Sequence, residues 1–136
     1  MALTQNTPRA YEEGFMNDLP VKASSKIYEG SLVGKSSGYA RALVAGDVFM
    51  GIAARGADNS AGANGDINVR VRKNGTIQVA VTGVTAVTDE GATVYASDDG
   101  TFTLSSTGNS VVGKIIRWVS GTTCVVYFEA ASVRSI

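Results

Sequence analysis

The sequence predicts a mostly β protein: a compact antiparallel β-sandwich or small barrel with an extended N-terminal arm. Three observations carry this. Val, Ile and Thr supply 36 of the 136 residues, whereas Leu, the staple of helical cores, supplies five. Branched side chains are stiff at χ1 and fit a pleated surface, so the excess favours strands. Sixteen glycines against two prolines suit a chain of tight turns and bulges, not a disordered proline-rich one. Short runs of alternating or continuous apolar residues, separated by turn residues, then follow one another from about Ser25 to the end, the pattern of an all-β domain. The chain divides into an arm, residues 1–24, which is polar, mixed and holds both prolines, and a single β domain, residues 25–136. The length is that of one domain.

Taken in order, residues 25–33 (SKIYEGSLV) read as a first strand, with a turn at 34–38. Residues 39–44 and 48–54 are short strands joined by Ala45, Gly46 and Asp47. Residues 55–66 (RGADNSAGANGD) are rich in Gly, Ala and Asn and read as an exposed loop. The clearest signal is 67–81. Ile67, Val69 and Val71 point one way while Asn68, Arg70 and Arg72 point the other, a strict period of two. Lys73, Asn74 and Gly75 then turn the chain, because Asn-Gly tolerates positive φ at both positions and is the strongest short hairpin signal. Ile77, Val79 and Val81 resume the alternation. A second hairpin joins 93–97 to 101–105 through Asp98, Asp99 and Gly100. A third joins 111–120 to 122–130 near Gly121.

Composition excludes several kinds of chemistry. Histidine is absent and Cys124 is the sole cysteine. This removes the commonest general base, the usual hydrolytic triads, cysteine-cluster zinc sites and an internal disulfide. No cofactor and no metal are expected. Twelve basic residues balance twelve acidic ones, so no long-range attraction to nucleic acid or to an anionic membrane is expected. No apolar run nears the ~20 residues of a membrane span, and the first residues lack the apolar stretch of a signal peptide. Synthesis in the cytoplasm without a cleaved leader is the expectation.

The remaining candidate residues read mainly as scaffold. Asp89 with Glu90, and Asp98 with Asp99, are the acidic pairs of the strand-rich body. Adjacent strand residues face opposite ways, and both pairs sit beside glycine, so solvated turns are expected rather than acid/base or cation sites. Residues 58–66 lack the ligand spacing and closing glutamate of a calcium loop. Arg70, Arg72 and Lys73 form a small basic stripe that suits phosphate, an acidic protein patch or, more simply, a solvated outer face. No aromatic interleaves with it to stack bases. Cys124 alternates with core positions and is expected to be a buried, inert thiol. Trp118 fits an interface anchor or a core residue.

In the arm, Tyr11, Phe15 and Leu19 recur every four residues, the spacing of one helical face, and Thr7-Pro8 suits a helix start. Gly14 and Pro20 limit any helix to a short, marginal one. Fixing residues 11–19 costs more backbone entropy than burying Tyr11, Phe15, Met16 and Leu19 returns. The arm therefore needs a docking partner, on its own body or on a neighbour. Fully extended, its 24 residues span up to about 80 Å, so reach does not limit it. Tyr11, Phe15, Met16, Leu19, Arg70, Arg72 and Trp118 are the candidate partner-binding residues.

The block KIYEGSLVG, the loop ADNSAGANG, the strand VRVRKNGT and the run VYASDDGTFTLSSTGNSVVGKIIRWVS occur in an order that resembles the tailed-phage capsid cement proteins, a family likened to the lambda head decoration protein. The resemblance runs from the Tyr11 region to Phe128. It implies a non-enzymatic protein of the virion, seated on the outer surface of an expanded icosahedral head as a homotrimer and bound to the major capsid protein. There it would stabilise the shell against the pressure of packaged DNA. It implies no catalytic residues and no nucleic-acid or membrane partner. Two other classes remain open: an adhesive or receptor-binding β-module of a phage particle, and a trimeric all-β nucleotide hydrolase. The hydrolase would need acidic magnesium ligands and a Gly/Tyr substrate motif, and neither is in order here.

Overall fold

The computed structural model describes residues 2, 4–10, 12 and 14–134. Among these residues twelve strands account for most of the order: β1 (Met16–Pro20), β2 (Ser25–Ile27), β3 (Leu32–Ser36), β4 (Tyr39–Ala42), β5 (Val48–Ala53), β6 (Ala57–Asn59), β7 (Asn68–Arg72), β8 (Asn74–Thr82), β9 (Thr93–Ala96), β10 (Phe102–Thr103), β11 (Ser110–Ser120) and β12 (Thr123–Glu129). Among the described residues one 3-10 turn, Val87–Asp89, stands between β8 and β9. The fold is mostly β, an antiparallel five-stranded sheet beside a closed five-stranded barrel. The sheet runs β1-β7-β5-β3-β4 and the barrel β10-β8-β12-β11-β9, with β2 and β6 as a separate ribbon.

Two cores hold these layers. Leu32, Leu43, Phe49 and Ile52 leave the sheet to pack with Val81, Val94, Val112, Ile115, Val126 and Phe128 inside the barrel. The opposite face of the sheet buries Val21, Val33, Met50, Val69 and Val71 with Ile27. Strand β5 serves both: Phe49 and Ile52 belong to the first core, Met50 and Ala53 to the second. This is why its sequence, VFMGIA, is continuously apolar and does not alternate. At the junction the rings of Phe49 and Phe128 meet edge to face, 6.4 Å between centroids and 80° between planes.

The hairpin expected at Asn74-Gly75 does not form. Strand β7 pairs with β1 and β5 in the sheet, whereas β8 pairs with β12 and β10 in the barrel. Lys73 is the crossing point. Its N–H donates to the Phe15 carbonyl on the sheet side, and its carbonyl accepts from the Ala130 N–H on the barrel side, both at 2.7 Å. Gly75 serves this corner with φ +154°, where a Cβ would come within 3.4 Å of the Phe128 ring. Longer pairings outcompeted the local turn, since β12 covers β8 from Asn74 to Ala80. The hairpins β9–β10 and β11–β12 form where they were expected.

Three further expectations are corrected. The stretch 25–33 is not one strand: Gly30, at φ +84°, breaks it into β2, which pairs with β6, and β3, which pairs with β4 and β5. The glycine-rich stretch 55–66 is not wholly an exposed loop. It contains β6, whose Asn59 is 3 % exposed and donates its amide to the carbonyls of Val21, Lys22 and Ala63 at 2.9–3.2 Å. Finally, the helical spacing of Phe15 and Leu19 does not produce a helix. Residues 16–20 form β1, paired residue for residue with β7 from Met16↔Arg72 to Pro20↔Asn68. Pairing with β7 gives the inner edge of β1 a continuous ladder, a more cooperative outcome than a marginal helix containing Gly14 and ending at Pro20. The chain thus enters the body at Met16, and Val21 is fully buried. Tyr11 lies outside the described residues.

An internal ion pair fixes the β4–β5 corner. Arg41 donates through Nε and Nη2 to both carboxylate oxygens of Asp47, at 2.9 and 2.8 Å, and the Val44 N–H donates to Asp47 as well. The guanidinium holds the Asp47 carboxyl below its ordinary 3.8, against a smaller opposing push from burial. A depressed folded-state value contributes stability that is present above the unfolded value and disappears as pH falls through the folded one. Asp58, Asp89 and Asp98 are lowered in the same direction by hydrogen bonds from Ser60, from Thr85 and Ala86, and from Gly100 with Thr101. The urea midpoint is therefore expected to hold from neutral pH to about pH 4 and to drop below it. Asp47→Asn should flatten part of that acid limb; an unchanged limb in this variant would remove the pair from the account.

Candidate functional site

The partner-binding residues expected from sequence fall into two separate places. The first is the outer face of β1 and β7. Cross-strand partners share a face, so Met16 and Arg72 lie side by side, as do Asp18 and Arg70. Arg70 Nη1 approaches the Asp18 carboxylate at 3.4 Å, both side chains being well exposed. This offsets one of the three charges of the basic stripe, and in water such a pair contributes little stability. Leu19 faces the other way, against the second core, and is scaffold. Phe15 is 45 % exposed where the chain joins the sheet.

The second place is the far end of the β11–β12 hairpin, which holds Trp118. The indole is half-buried against the barrel core. Its Nε1–H donates to the Gly121 carbonyl at 3.0 Å, and its backbone N–H donates to the Glu90 carboxylate at 2.9 Å. Trp118 therefore braces the hairpin end from within. The side chains presented outward are its neighbours, which sequence reasoning passed over. The register of β11 against β12 shifts between Ile115 and Arg117 and again between Trp118 and Ser120. Each shift leaves one residue without a cross-strand partner, Ile116 and Val119, which are 52 % and 37 % exposed. The 3-10 turn packs beside β11 and adds Val87, also largely exposed. The available signal was the run Ile115-Ile116-Arg117-Trp118-Val119, which breaks strict alternation and so demands a bulge.

The acidic pairs act as turn chemistry. Asp89 accepts from the Thr85 and Ala86 N–H groups, Asp98 accepts from the Gly100 N–H, and the Ser31 hydroxyl approaches Asp99 at 3.4 Å. Burial pushes the Cys124 thiol above its ordinary value, and the Asp89 charge adds to this. Cys124 is fully buried, and a protonated thiol in a core behaves as a small hydrophobe.

A cleft of about 460 Å³ opens where the chain crosses between the sheets, lined by Glu29, Ile52, Arg72, Asn74 and Thr76 among others. Asn74 Oδ1 is buried there without a hydrogen-bond donor. Sequence gave no hint of this cleft, because it arises only from the unforeseen crossing at Lys73. A scan of family models finds no match to the chain, and a search of curated proteins finds none.

Proposed function

We propose that this protein is a capsid cement protein: a fastener that binds the outer surface of an expanded icosahedral head, joins major capsid subunits as a homotrimer, and transforms no substrate. The observation that carries this reading is the outward presentation of Val87, Ile116 and Val119 at the bulged end of β11. Bulges re-aim side chains and are features of design more than defects, and large apolar side chains left exposed on one strand end and on the turn packed beside it suit a contact with another protein. They stand on a body whose sheet and barrel share a core, so a load applied at one end is passed on without a hinge. Contacts that are individually weak then act together, since in a closed trimer the second and third engage at high effective concentration. The sequence resemblance to phage cement proteins points the same way.

The test is to add purified protein to heads that lack it and to heat them. Retention of packaged DNA to a higher temperature supports the reading, and Ile116→Asp combined with Val119→Asp should weaken head binding at least tenfold while the protein stays folded. Heads that lose DNA at the same temperature with and without the protein would overturn the stabilising role. Glycan binding together with absence from purified heads would favour a receptor-binding module instead.

A further inference from the structure

The barrel wall has one incomplete edge. On one side β8 pairs with β12 at every residue from Asn74 to Ala80, and on the other it meets β10 only at Val81 and Thr82. Among the described residues, the second edge of Asn74–Ala80 has no strand partner. Natural edges of this kind are usually blunted by charge, proline or a bulge. This one has none of them: residues 74–88 contain neither a charged side chain nor a proline, and the pairing of β8 with β12 is regular throughout. Thr76, Gln78 and Ala80 are exposed along it. Its first half forms a wall of the cleft in which Asn74 Oδ1 has no donor.

We propose that this edge takes residues 2–7 of a second copy of the chain as an added strand. The segment, ALTQNT, is uncharged like the edge it would join, and Pro8 ends it as a strand. In its own chain the described residues 4–10 are exposed, and their one side-chain hydrogen bond is local, from the Thr7 hydroxyl to the Gln5 carbonyl.

Geometry assigns the strand to a neighbour. The N–H and C=O of one strand residue point to the same edge, and those of Lys73 bond Phe15 and Ala130. The arm therefore leaves the body on the edge that β12 occupies further along, whereas the open edge of β8 lies on the opposite side, towards β5. To reach its own open edge the arm would have to cross over its own strand. Residues 8–14 span up to about 23 Å when extended, enough to carry residues 2–7 onto an adjacent molecule. Backbone pairing of this kind provides affinity without demanding particular side chains. The inference goes beyond the capsid reading and does not depend on it, because its test uses purified protein without heads.

The test is disulfide trapping between full-length chains. Cysteines placed one at a time at residues 3–7 are mixed with the Gln78→Cys variant under mild oxidation, with wild-type chains as the control for Cys124. The expected product is a linked pair at twice the chain mass. Its yield should alternate with a period of two along residues 3–7, as strand geometry requires, and fall when a peptide of residues 1–8 is added in excess. No linked pair, or a yield that does not alternate, overturns the proposal. So does the double variant Asn6→Cys/Gln78→Cys closing within one chain at monomer mass, which would place the strand in cis.

Discussion

Phe49→Ala is expected to lower the stability of the whole protein by about 3–5 kcal/mol, the usual cost of emptying a buried aromatic site. Phe49 is 1 % exposed and comes from the central region of the sheet, yet its ring lies against Phe128 of the barrel. Removing it takes away apolar burial and leaves a void that neither layer can fill by itself, because each is fixed by its own ladder. The Ala131 N–H also donates to the Phe49 carbonyl at 2.9 Å, so the C-terminal segment is seated on the same residue. Urea unfolding followed by tryptophan fluorescence, which reports the barrel through Trp118, and by far-UV circular dichroism, which reports both layers, should move together. A double-mutant cycle with Phe128→Leu should return a coupling of about 0.5–1.5 kcal/mol for the edge-to-face pair. Barrel fluorescence unchanged in midpoint while the overall signal shifts would show that the two layers unfold separately.

Gly113→Ala is the second large effect. Gly113 sits in β11 opposite Phe128 of β12 and Val94 of β9, beside a register shift between Val111 and Gly113. A methyl group there would overlap the Tyr127 carbonyl oxygen and press on the Tyr127 carbonyl carbon and Phe128 Cα at 2.8 and 2.9 Å. All three are backbone atoms, so no side chain can swing away. The strands must separate locally, and overpacking of this kind costs about 3 kcal/mol. The measurement is the urea midpoint at unchanged slope. A loss below 0.5 kcal/mol, the scale of an ordinary surface substitution, would mean that the ladder yields there easily.

How much of this was legible depended on the range of the interaction. The β9–β10 and β11–β12 hairpins were readable because Asp98-Asp99-Gly100 and Gly121 close short loops between strands that do pair with each other. The alternation of 67–72 was readable too, and Val69 and Val71 are indeed buried. Asn74-Gly75 misled because a turn signal describes two residues, whereas the competition was between partners more than 40 residues away in sequence: β1 for β7 and β12 for β8. Phe15 and Leu19 misled likewise, since a spacing of four satisfies a helix and a spacing of two satisfies a strand, and both include these positions. Of the candidate surface, Arg70 and Arg72 were placed on one face by their alternation, whereas Met16 was read as part of a helical arm and comes beside Arg72 only through β1–β7 pairing. Ile116 and Val119 escaped because bulges reveal themselves only once the opposing strand is known.

The sharing of β5 between two cores has a practical outcome for anyone who would cut, graft or label this molecule. Neither layer is a transplantable module: excising the barrel takes away Leu32, Leu43, Phe49 and Ile52, which fill its open flank, and excising the sheet strips those same side chains of their cover. Foreign sequence belongs where no ladder is interrupted, and the turn at Ser37 and Gly38, between β3 and β4, offers such an insertion point.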